Sequence, residues 1–67
     1  MALAKWLSDC LNSQLKLDHA MSVCEEQFIE TPDDLIRQAS EGLTNLTDVL
    51  MFKKVVADAI MDRIKLD

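Results

Sequence analysis

Apolar residues recur along this chain at intervals of three and four, and no alternating stretch of useful length interrupts them, so the pattern predicts helices and no strands. From Ala2 to Asn12, Leu3, Trp6, Leu7, Cys10 and Leu11 fall at i, i+3, i+4, i+7 and i+8, the stripe of an amphipathic helix. Asn12-Ser13 weakens it. Leu15 and Leu17 are expected in a short connection, after which Asp18 caps a second helix by accepting from the free N–H groups of its first turn. In that helix Ala20, Met21, Cys24 and Phe28 keep one face apolar, while Ser22, Glu25 and Glu26 are solvated.

The sharpest local signal is Thr31-Pro32-Asp33-Asp34-Leu35. Thr31 is an N-cap, Pro32 has its φ already set for the first helical position, and Asp33 and Asp34 put negative charge at the positive end of the helix dipole. Leu35, Ile36 and Ala39 then face the core. Ser40 is expected to cap a short fourth turn holding Leu43 and Leu46, although Gly42 inside it weakens helix propensity. Thr47, followed by Asp48, is expected to cap one long final helix running to Leu66. On its wheel Val49, Phe52, Val55, Val56, Ala59 and Ile60 share a broad arc, extended by Leu50, Ala57, Met61 and Ile64, with Lys54, Asp58, Asp62 and Lys65 as the polar stripe. Such a helix is the central post of a bundle or has apolar surface to spare for a partner. The expected fold is all-α, a small bundle of four or five helices with a long C-terminal helix.

At 67 residues the chain is a single domain, near the lower limit for a core without staples, where a net stability of ~3–5 kcal/mol is normal. It is 49% hydrophobic with one Gly and one Pro, which excludes a disordered tail or a collagen-like segment. Secreted mini-proteins of this size usually carry four or more cysteines. Cys10 and Cys24 both lie on apolar helix faces, so reduced, buried thiols are expected. Lys5, Ser8 and Asp9 interrupt any signal-peptide run, and no stretch approaches a membrane span. These features point to a soluble protein, cytoplasmic or nuclear. A net charge of −5 disfavours phosphate backbones and anionic lipid.

Few residues offer chemistry. Asp33 and Asp34 are adjacent at an exposed helix start with no acid or base beside them, which suits dipole electrostatics or docking and not catalysis. His19 with Cys10 and Cys24 lacks zinc-ligand spacing and any orienting third group, so His19 is expected on the surface in a first helical turn. No enzyme, metal or cofactor is expected. Trp6, sharing a face with Leu3 and Cys10, is the core anchor of the first helix. Of the four methionines, Met1, Met21, Met51 and Met61, Met21 fits the core, whereas Met51 and Met61 lie near the edges of the last apolar arc, where an adaptable thioether suits a contact. Lys53 projects from within that arc and must snorkel.

An early Trp6-Leu7 pair, apolar Met21 and Cys24, Ile29 ahead of a helix containing Leu35, a Leu43-Thr44-Asn45-Leu46 turn, and Lys53-Lys54, Val55-Val56 and Ala59-Ile60 in the last helix follow one another in order. This order resembles the sterile alpha motif domain, a five-helix interaction module, over roughly residues 6–62. Thr47 and Met51 stand where that family usually has glycines. The resemblance implies head-to-tail docking between the start of the last helix and the middle of a second copy. Here the middle carries Glu30, Asp33, Asp34 and Glu41, and the last helix begins with Leu50, Met51, Lys53 and Lys54, so acid faces base. Such contacts are heterologous and propagate. The expected function is therefore homo- or hetero-oligomerisation with a protein partner, itself or another helical domain. One alternative is an orphan subunit forming a symmetric dimer through its last helix; a weaker one is binding of an RNA hairpin, for which the basic neighbours are too few.

Overall fold

The computed structural model describes residues 3–66, with side chains through Lys65; the expected helix start at Ala2 and the side chains of Met1 and Leu66 lie outside the described residues. Four α-helices form: α1 (Leu3–Cys10), α2 (Gln14–Glu26), α3 (Pro32–Ala39) and α4 (Lys54–Leu66), with a π-helical turn, Asn45–Val49, between α3 and α4. No strand occurs among the described residues. The bundle measures 25 × 23 × 21 Å. α1 packs against α2 and α4, while α3 packs against the π turn and α4.

The core follows the stripes. Leu3, Trp6, Leu7 and Leu11 meet Ala20, Val23 and Cys24 of α2, Leu35 and Ala39 of α3, and Val56, Ala57 and Ile60 of α4. Trp6 is 3% exposed, and Arg63 stands over its ring at 6.0 Å from the centroid, a cation–π contact that closes the α1–α4 seam. α3 begins as its sequence directs: the Thr31 hydroxyl accepts from the Asp34 N–H at 3.2 Å, with Pro32 at the first helical position.

Several boundaries differ from the sequence expectation. α2 starts at Gln14 behind Ser13, so Leu15 and Leu17 are helical and Asp18 lies inside, accepting from the Gln14 side chain at 2.8 Å, instead of capping. Ser40 closes α3 instead of opening the next turn. Gly42 lies outside the turn at φ 114, a backbone region a Cβ disfavours, and its N–H donates to the Ala39 carbonyl at 3.0 Å.

The largest difference is in the C-terminal third. The segment from Thr47 to Leu66 is not one helix: it breaks at residues 50–53, and Thr47 sits within the π turn with its hydroxyl donating back to the Leu43 carbonyl at 3.3 Å. The reason is a conflict in the apolar pattern. In an unbroken helix Leu50 and Phe52 would point about 200° apart and could not both enter one core. With Met51 in the left-handed region at φ 71, both do, at 5% and 2% exposure. Val49 and Val55, expected on the inner arc, are left 63% and 53% exposed.

Candidate interaction surface

The break leaves backbone groups that a continuous helix would have paired, and several of them find other partners. The Leu50 N–H donates to the Asn45 carbonyl at 3.0 Å and the Phe52 N–H to the Leu46 carbonyl at 2.9 Å. Asn45 anchors the turn to α3 by donating to the Gln38 carbonyl at 2.8 Å. The Lys53 N–H donates to Nε2 of His19 at 3.0 Å, and the imidazole meets the Phe52 ring edge-on at 6.3 Å. His19 is therefore a half-buried residue in the middle of α2 that caps the junction, not a surface residue of a first turn. The Lys53 carbonyl then accepts from Ala57 at 2.9 Å, opening α4.

This geometry sorts the basic set. Leu50, expected to offer surface to a partner, is spent on the core. Met51 is 66% exposed, held outward by its left-handed backbone. Lys54 leans on Asp58 at 3.5 Å, whereas the Lys53 ammonium enters no ion pair among the described residues. Val49, Met51 and Val55 thus put three large apolar side chains beside two exposed lysines. Leu15, one turn from His19 on the same side of α2, is a fourth at 81% exposure. The signal for this edge was present in the sequence as a surplus of apolar positions on one wheel, but not which of them would lose the competition for the core.

The acidic set divides as well. Glu30, Asp33 and Asp34 gather at the start of α3, while Glu41 lies beyond its other end, a helix length of about 12 Å away. Asp34 shares its charge with Arg37 at 3.9 Å. Glu30 and Asp33 are both exposed, and neither enters an ion pair among the described residues. Met61, the other edge methionine, is half-buried against the core.

Cys10 and Cys24 are not joined in a disulfide, and burial pushes the Cys24 thiol up to about 11, which makes it a small hydrophobe and a poor nucleophile. Among the described residues no group of three His, Cys, Asp or Glu side chains is placed to hold a metal ion, and no helix is long and apolar enough to cross a membrane. Compared with family models, curated proteins and solved structures, the chain matches none. The functional reading rests on the two surfaces themselves.

Proposed function

We propose that this chain is an intracellular helical interaction module, similar to a sterile alpha motif domain, that binds a second copy of itself or a related helical domain head to tail. The junction edge of one molecule, Met51, Lys53 and Lys54 flanked by Val49 and Val55, seats on the α3 start of the next, at Glu30, Asp33 and Asp34. The observation that carries this reading is the junction edge: exposed apolar side chains beside the unpaired Lys53. Apolar area supplies the affinity, and the opposite charges set orientation and association rate. Because donor and acceptor surfaces differ, the contact repeats from copy to copy.

Sedimentation across a concentration series tests it. Wild type grows without a fixed end point, and Lys53→Glu or Asp33→Lys alone stays monomeric. An equimolar mixture of the two forms a one-to-one pair, because one variant keeps an intact junction and the other an intact acidic face. A fixed dimer indifferent to both substitutions would reject head-to-tail docking in favour of a symmetric dimer. A binding isotherm to an RNA hairpin that rises at low salt would support the nucleic-acid alternative instead.

A further inference from the structure

A second apolar surface lies at the other end of α2. Phe28 follows the helix C-cap in the left-handed region at φ 58. The Ile29 N–H donates to the Cys24 carbonyl at 2.8 Å and the Phe28 N–H to that of Glu25 at 3.3 Å, which together make a Schellman stop. That position favours glycine, since a Cβ is strained there. The ring gives the core nothing in return: Phe28, expected on the inner face of α2, is 88% exposed.

The ring stands instead beside an open groove of about 580 Å³, with Leu3, Ala4, Met21, Cys24 and Ile29 as its floor. Glu25 and Glu30 complete the lining, and no lysine or arginine joins them among the described residues. We propose that this groove seats the apolar face of a basic amphipathic helix from another protein, with Phe28 closing against it. The volume suits a few apolar side chains, and Met21 can adapt to their shape. Two carboxylates in an otherwise apolar lining select lysine or arginine flanks. A helix is the occupant because the described residues offer no sheet edge for a strand to extend. A second copy fits less well. Its basic edge at residues 51–53 is not helical, and α4 turns Val56, Ala57 and Ile60 inward.

The test uses the full chain carrying Lys53→Glu, so that head-to-tail docking does not contribute. Backbone amide spectra are recorded while a synthetic helical peptide with leucines at i, i+3, i+4 and i+7 and lysines elsewhere is added, and again with glutamates replacing the lysines. The lysine peptide shifts the amides of Leu3, Ala4, Met21, Cys24 and Ile29, and the glutamate peptide shifts none. Phe28→Gly keeps or raises the melting temperature yet weakens the lysine peptide by about tenfold or more; the pair Glu25→Lys with Glu30→Lys weakens it similarly. Equal binding of both peptides, shifts confined to Met51 and its neighbours, or full affinity in the Phe28→Gly and charge-reversed variants would overturn the assignment. So would loss of wild-type self-association on Phe28→Gly, which would give the groove to a second copy.

Discussion

The start of α3 and the break before α4 are both places where a helix begins, yet they are specified differently. At α3 everything needed lies within four residues: Thr31 caps, Pro32 fixes φ, and Asp33 and Asp34 meet the dipole. At α4 the local sequence asks for continuity, with apolar residues at positions 49–52 and 55–57 on either side of Lys53-Lys54 and no glycine or proline to stop the helix. The stop comes from tertiary structure. Leu50 and Phe52 are both drawn into the core, and His19, 34 residues away, satisfies the N–H that the break exposes. A locally written boundary leaves an acidic, solvated helix end; one imposed by packing leaves apolar side chains stranded outside. That difference puts the apolar edge at the junction and the acidic one at α3.

The largest effect distinguishes the residues that won the core from those that lost it. Phe52→Ala removes a side chain that is 2% exposed and costs about 3–5 kcal/mol, most of the stability available to so small a domain. Val49→Ala, on the expected inner arc but 63% exposed, stays within about 0.5 kcal/mol. Chemical denaturation of the two variants reads both values, and similar costs would erase the contrast.

Alkaline pH probes the core beneath both regions. The Cys24 thiol is raised by burial from 9.0 to about 11, so between those values the folded chain keeps a proton that the unfolded chain has lost. Stability is intact below pH 9 and falls as pH rises toward 11, by about 2–3 kcal/mol from this group. Melting curves over that range should show a steeper decline for wild type than for Cys24→Ala.

Smaller effects test the two caps against each other. Thr31→Ala and His19→Ala each remove one acceptor of a backbone N–H and cost about 1 kcal/mol. The loss of Thr31 should raise amide exchange only in the first turn of α3. The loss of His19 should raise it at Lys53 and also loosen α2 against the junction. Exchange confined to the mutated helix in both variants would show that His19 is not what closes the break.

The legible part of this fold is the part coded by neighbours. The stripe Leu3, Trp6, Leu7 and Leu11, the Thr31-Pro32 start and the all-helical class were readable because period and capping are local. Asp18 and Ser40 were misplaced because residues that cap well also tolerate helix interiors and ends. The left-handed backbone at Phe28 and Met51 was not readable because neither residue is glycine, so Phe28 was expected on an inner helix face and Met51 within a continuous helix. The proposed junction edge was found by charge and a surplus of apolar positions, but its membership changed: Leu50 went in, and Val49 and Val55 came out.

In the folded chain the C-terminal third is interrupted, and the interruption presents Met51 to solvent. Backbone chemical shifts and nuclear Overhauser contacts for residues 47–57 are the decisive measurement. Non-helical shifts at residues 51–53, a left-handed signature at Met51, and a contact from the His19 ring to the Lys53 amide are expected. An unbroken run of helical shifts from Thr47 onward, without that contact, would contradict the interruption.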